Sequence, residues 1–377
     1  MVVRRIEKPT IQDNEVLIEV HAFGLNYADV LCRRGLYPDA PRYPFVPGYE
    51  VSGVILRVGA RAVQEGFSMK EGDKCIAFTL FGGYAQFAAA RHEAVAPLPE
   101  GMSFAQGASL PVNLATAYHC LFFTGTLFAG DRVLIHAAAG GVGQIAVQMA
   151  KNAGCTVFVT ASTEAKLTLL KDELGADHGI NYVTTNFADE VRRILGVTNP
   201  KEGCLDLILD PVGGSQLKAG IELLRPSGRL VSIGVAGLSD RSTVLGFLSA
   251  IPKVFSMLTF NAIDLLRYSK SFVGVNLLRI AKTRPDLLRH AFLGGLELVK
   301  QGKVRTVISQ ELDWTQVGQA HQAMEERRTT GKIVFTIPVA TEAATSSSAT
   351  SSVSSPKTHG MQEAASSSSS SSAPAAE

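Results

Sequence analysis

The chain has 377 residues, and its 36 Lys and Arg nearly balance 34 Asp and Glu, for a formal charge of +2. That balance, without basic blocks, gives no electrostatic case for nucleic-acid binding, and 46% hydrophobic residues exclude a wholly disordered chain. Five widely spaced cysteines (Cys32, Cys75, Cys120, Cys155, Cys204) form neither a zinc knuckle nor a disulfide framework. A reduced, cytoplasmic compartment is expected. Met1–Lys8 is too polar for a signal peptide. The long apolar stretch Val244–Phe260 is broken by Pro252 and Lys253 and falls short of the roughly 20 residues that span a bilayer.

In chain order, residues 1–113 read as a β-rich unit. Strands are predicted at Glu15–Gly24, Glu50–Gly59, Lys74–Phe78, Tyr84–Ala90 and Ala94–Leu98, with Gly and Pro between them. Residues 114–278 then alternate strand and helix. The strands are predicted at Arg132–His136, Thr156–Thr160, His178–Tyr182, Leu205–Asp210 and Arg229–Gly234, with Ser271–Leu277 as a possible extension. Such alternation argues for an α/β, doubly wound parallel sheet. Residues 279–338 add helices and a strand, Lys332–Pro338, returning to the first unit. The tail, 339–377, is of another composition: Thr341–Glu377 lacks aromatic residues and carries the run Ser366–Ser372, which predicts disorder.

The strongest chemical signal is the run from Arg132 to Lys151, in which a buried strand enters Ala138-x-Gly140-x-x-Gly143 and passes directly into an apolar-periodic helix. Gly140 lets backbone approach a pyrophosphate, Gly143 lets helix and strand pack closely, and the helix N-terminus offers free N–H groups to the anion. Ala138, Gly140, Gly141, Val142 and Gly143 are therefore the candidate cofactor loop. An NAD-selective site usually places a carboxylate about 20 residues beyond the glycines. Here the next strand ends in Thr160-Ala161-Ser162 instead, with Lys166 in the following helix and Tyr182 ending the third strand. Ser162, Lys166 and Tyr182 suit a 2′-phosphate, so NADP(H) is expected. The alternative makes Lys166 a solvated charge and gives Glu164 the acid role.

The segment from Gly130-Asp131 through Ala138-Ala139-Gly140-Gly141-x-Gly143 to Gln148-x-x-Lys151 resembles the signature of the quinone oxidoreductase/zeta-crystallin branch of the medium-chain dehydrogenase/reductase superfamily. The resemblance runs from about Ile6 to Pro338. Within the branch, Leu25–Pro38, Phe45–Gly53 and Leu209–Ser215 resemble the synaptic-vesicle-membrane-protein subgroup and its bacterial relatives. It implies a GroES-like catalytic domain wrapped around a Rossmann domain, a homodimer joined near Ser271–Leu277, and hydride transfer to a quinone or an α,β-unsaturated carbonyl.

The same resemblance places Asn26 and Tyr37 beside the nicotinamide, Tyr49 where zinc-dependent members carry a metal ligand, Thr116 and Gly234 against the cofactor, and Arg327 toward the 2′-phosphate. Asn26 and Tyr49 stand where those members use Cys and His, and the four-cysteine lobe is missing, so zinc independence is expected. Plainer readings remain open: Asn26 as a turn residue, Tyr37 as part of a lining loop, Arg327 as a surface charge. His21, His119 and His136 read as satisfied structural histidines, and Cys32 and Cys120 as packing residues. Val244–Leu266 caps the cleft or dimer surface, or else meets lipid peripherally; that second option goes with a cofactor-binding, lipid-handling protein of little turnover. Members of the branch usually carry a strand before the segment matching Ile6–Pro9; its lack implies a truncated start or an unpaired local edge.

Overall fold

The structure is a computed structural model that describes residues 1–199, 201–234 and 262–338. Most of the apolar segment Val244–Leu266 and the whole tail 339–377 lie outside the described residues. At the end of that segment, Ile263 and Leu266 are exposed on the helix Ala262–Arg267. No helix among the described residues is long and apolar enough to cross a membrane.

The first unit contributes β1 (Glu15–Gly24), β2 (Glu50–Val58), β3 (Lys74–Phe78), β4 (Phe87–Arg91) and β5 (Val95–Pro97). The second contributes β6 (Arg132–Ile135), β7 (Thr156–Ala161), β8 (His178–Asn181), β9 (Leu205–Asp210), β10 (Leu224–Ser232) and β11 (Ser271–Gly274). The chain closes with β12 (Ile308–Asp313) and β13 (Lys332–Thr336). Two sheets result, as the expected fold class requires. One runs β12-β13-β1-β2-β3-β5 with β4 also on β1, and the other runs β11-β10-β9-β6-β7-β8.

Every pairing in the second sheet is parallel. Its strands are short apolar runs because helices cover both faces; β9 is buried at every position. The strand order reverses between β6 and β9, and at such a switch point the connections leave in opposite directions and open a crevice at the strands' C-terminal ends. The loop after β6 is the glycine loop.

Three predicted strands shift for local reasons. The strand expected at Tyr84–Ala90 begins at Phe87, because the Tyr84 ring packs on Phe23 and Phe335 at centroid distances of 4.6 and 6.4 Å. The strand expected to reach Leu277 stops at Gly274, because Asn276 caps the helix Leu277–Thr283 by accepting from the Arg279 N–H at 3.1 Å. The strand expected at Arg229–Gly234 starts earlier, at Leu224, and breaks register before Arg229. The polar strand β12 was not anticipated; it pairs in parallel with β13. Residues 1–12 form no strand, and Lys8 lies over the Phe87 ring of β4 at 4.3 Å.

Candidate active site

The glycine loop is held from three sides. The Ala138 N–H donates to Thr160 O (3.2 Å), tying the loop to β7, and the Gly140 N–H donates back to Ala137 O (3.0 Å). Gly140 is the extended residue before the helix Gly141–Asn152, whose first internal bond runs from Gln144 N to Gly140 O at 2.9 Å. The N–H groups of Gly141, Val142 and Gly143 are thus left without intrahelical acceptors. From the segment just before β13, Gly331 pairs with the loop through a bridge to Gly140, and its N–H donates to Ala139 O at 2.7 Å. These features fit a dinucleotide pyrophosphate.

The candidate 2′-phosphate residues gather at the C-terminal ends of β7 and β8. Tyr182 N donates to Ala161 O (3.1 Å), which sets Tyr182 beside Ser162. Lys166 Nζ reaches across to Arg327 O at 3.3 Å, so Lys166 and Arg327, distant in sequence, share one edge of the cleft. Glu164 accepts from Asn181 Nδ2 at 2.9 Å and is already engaged, which weakens the alternative that it serves as the ribose acid.

Asn26 opens the helix Tyr27–Arg33 within a buried charged cluster. Its Oδ1 accepts from Lys332 Nζ (2.7 Å) and its Nδ2 donates to Glu50 Oε1 (2.9 Å), while Lys332 and Glu50 form an ion pair. Glu50 Oε2 accepts from Val112 N at 2.9 Å, at the start of the helix Pro111–Tyr118. Thr116 lies one turn on, its Oγ1 donating to Val112 O at 2.6 Å. Asp29 is fully buried and accepts from the N–H groups of Asn26 (3.0 Å) and Gly48 (2.9 Å). Burial pushes its carboxyl up to about 7, against the opposing pull of those two N–H bonds.

Tyr49 is buried, its Oη 3.0 Å from Cys32 Sγ. Burial pushes the Cys32 thiol up to about 11 and raises Tyr49 as well. Tyr37, 6.4 Å from the Tyr49 ring, donates to Asn276 Oδ1 at 3.4 Å, and burial pushes its phenol up to about 12. Both phenols therefore stay protonated and can donate hydrogen bonds. Phe81 packs on Tyr49 (5.1 Å) and edge-on to Phe45 (5.5 Å), completing an aromatic wall. Gly234 lies beside Pro211 O, at the C-terminal side of β10.

The structure thus links Asn26 through Glu50 and Val112 to the helix that carries Thr116, packs Tyr37 near Tyr49, and sets Asn113 of that same helix against Gly141 of the glycine loop. Sequence reasoning missed Glu50, Asp29, Lys332, Phe45 and Phe81. The available signal was a Lys and a Glu each beginning an otherwise apolar strand.

Two family models match the chain: an alcohol dehydrogenase GroES-like domain over residues 12–100 and a zinc-binding dehydrogenase over residues 141–286. Mouse quinone oxidoreductase is 31% identical over 330 residues, covering 87% of this chain and 90% of that protein. The chain belongs to the medium-chain dehydrogenase/reductase superfamily, in its quinone oxidoreductase/zeta-crystallin branch. A synaptic vesicle membrane protein VAT-1 homolog of Danio rerio is 37% identical over 331 residues, covering 87% of this chain, which spans 65% of that protein's length. Among solved structures, Escherichia coli quinone oxidoreductase complexed with NADPH superposes with a TM-score of 0.73 at 26% identity, covering 89% of this chain and 95% of that one.

For a member of this branch, the histidines need one correction. His21, His119 and His136 are not fully satisfied: each has a buried ring nitrogen without a hydrogen-bond partner, and burial lowers the pKa of each. An imidazole kept neutral tolerates this better than a buried cation would. The five thiols are buried and free of disulfides.

His321 is the extreme case. It is fully buried behind Tyr84, with Nε2 3.3 Å from the Tyr84 hydroxyl, and burial, aided by Arg33, lowers its pKa to about 4. The unfolded chain takes up this proton near pH 6.5 and the folded chain only near 4, so stability falls as pH drops through that window. The loss amounts to about 3 kcal/mol. Chemical denaturation of wild type and His321→Gln at pH 7 and pH 4 should show a flatter acid limb in the variant; parallel limbs would overturn the assignment.

Proposed function

We propose that this protein is an NADPH-dependent, zinc-independent oxidoreductase that passes hydride to a quinone or an α,β-unsaturated carbonyl. The observation that carries the reading is a single continuous connection. The glycine loop is bonded to Gly331, the adjacent Lys332 holds Asn26, Asn26 bonds Glu50, and Tyr49, next to Glu50 in the chain, packs with Phe81 in an aromatic wall suited to a flat conjugated acceptor.

NADPH bound along the glycine loop supplies the hydride. The chain's own residues position the acceptor and stabilise the charge it gains. Hydride added to a conjugated carbonyl leaves negative charge on oxygen, and the N–H of Asn26 that Glu50 does not take would donate to it. The protonated Tyr37 hydroxyl, whose bond to Asn276 Oδ1 is long at 3.4 Å, would turn to the acceptor as a second donor, and Tyr49 with Phe45 and Phe81 would exclude water from the ring face. The donor set does not fit zinc. Where thiolate and imidazole would be needed there are an amide and a phenol, and the Lys332 ammonium already sits on the amide oxygen.

The test is NADPH oxidation by the purified chain with an ortho-quinone and, separately, an enone. Acceptor-dependent turnover is expected, with Asn26→Ala slowing kcat by about 100-fold, as removal of an oxyanion donor typically does. Binding of NADPH without turnover on either acceptor would leave a binding protein in its place.

Lys166 and Arg327 supply the preference for the phosphorylated cofactor. Lys166→Ala should weaken NADPH about 10-fold, the value of one charge-assisted contact, and change NADH little. Equal weakening of both cofactors in fluorescence titrations would remove Lys166 from the phosphate site.

A further inference from the structure

We propose that Lys332 and Glu50 are a positioning pair that fixes which way the Asn26 amide points, and so leaves one N–H directed at the acceptor oxygen. This rests on the reading of Asn26 given above and names the residues that make it work.

An asparagine amide can rotate to exchange its oxygen and nitrogen, and only one of the two arrangements offers a donor to the cleft. Here the choice is made by opposite charges. The Lys332 ammonium donates to Oδ1 at 2.7 Å, and the Glu50 carboxylate accepts from Nδ2 at 2.9 Å. Rotation would set the amide N–H groups against the ammonium and the amide oxygen against the carboxylate. Glu50 and Lys332 are 0% and 3% exposed, so water screens neither repulsion.

One N–H of Nδ2 is taken by Glu50, and the second is the donor left for the substrate. A cation on the amide oxygen also draws electron density from the nitrogen and strengthens that donor.

The backbone holds the pair in register with the cofactor. Lys332 directly follows Gly331, whose N–H bonds to the glycine loop at Ala139 O (2.7 Å), and the Leu25 N–H donates to Ile333 O at 3.0 Å. The residues flanking Lys332 are thus bonded to the cofactor loop on one side and to the residue before Asn26 on the other. Glu50 is fixed separately by the Val112 N–H at 2.9 Å.

The experiment uses the full chain with asparagine side chains labelled by nitrogen-15, the Asn26 resonances being those absent from Asn26→Ala. In the wild type, the two Asn26 amide protons should exchange with solvent at rates at least tenfold apart, one held by Glu50 and one open to the cleft; equal rates overturn the proposal. The paired variant Lys332→Met/Glu50→Gln removes both charges together and leaves no orphaned ion. It should move the Asn26 resonances, lower kcat at least tenfold and leave KM for NADPH within twofold.

In an Asn26→Ala background the same pair of substitutions should change kcat less than twofold. A tenfold fall there as well would mean a general structural role and overturn the proposal, as would unmoved resonances. If Asn26→Ala itself turned over at the wild-type rate, the reading of Asn26 as donor would fall. If it were slow while the paired variant were not, only the positioning role would fall.

Discussion

Gly140→Ala is expected to leave the thermal midpoint unchanged and to weaken NADPH by roughly 30-fold, whereas Gly143→Ala should lose stability and cofactor binding together. The two glycines are usually grouped in one fingerprint, but their surroundings differ. A Cβ on Gly140 would meet only Ala137 O, at 3.4 Å, and the residue has an ordinary extended backbone at φ −81°. The chain itself can hold a methyl group there, so the requirement for glycine must come from what approaches the loop from outside. A Cβ on Gly143 would lie 2.6 Å from Ala138 Cα and 2.7 Å from Ala138 O, backbone atoms that cannot turn aside. The helix Gly141–Asn152 would have to lift away from β6 at a cost of about 1–3 kcal/mol, carrying its N-terminal N–H groups with it. Thermal melts beside fluorescence titrations separate the two effects. Wild-type NADPH affinity in Gly140→Ala would mean that this loop is not the phosphate cradle.

The contrast also shows what the sequence could and could not disclose. The parallel sheet was legible because its strands are buried on both faces and read as short apolar runs such as Leu205–Asp210. The glycine loop was legible because strand, glycines and helix are contiguous. The cluster around Asn26 was not, because its members come from four separated places: Asn26, Glu50, Val112 and Lys332. A Lys or Glu at the first residue of a strand reads as the solvent boundary of that strand, and nothing local says that the two meet. Likewise β12, largely exposed with the sequence Ile-Ser-Gln-Glu-Leu-Asp, carries no apolar alternation strong enough to predict a strand; its pairing with β13 fixes it. Lys166 and Arg327 point to the 2′-phosphate on separate grounds in the sequence, and only the fold sets Lys166 Nζ on the carbonyl of Arg327.

Breaking the buried pair from one side should produce the largest stability change in the molecule. Lys332→Met alone leaves the Glu50 carboxylate fully buried, with only the Asn26 amide and the Val112 N–H to stabilise it. Removing one partner of a buried ion pair typically costs about 3–5 kcal/mol, because the remaining charge has lost both water and its counter-ion. Adding Glu50→Gln should restore most of that loss. The glutamine oxygen can still accept from Val112 N, and a neutral buried amide carries a far smaller desolvation cost than a carboxylate. Differential scanning calorimetry of the single and double variants at neutral pH reads the difference directly. A single variant as stable as wild type would overturn the assignment of an orphaned buried charge. Recovery in the double variant would establish that the cost lies in the orphaned charge and not in lost packing of the lysine stem, because methionine fills nearly the same volume in both proteins.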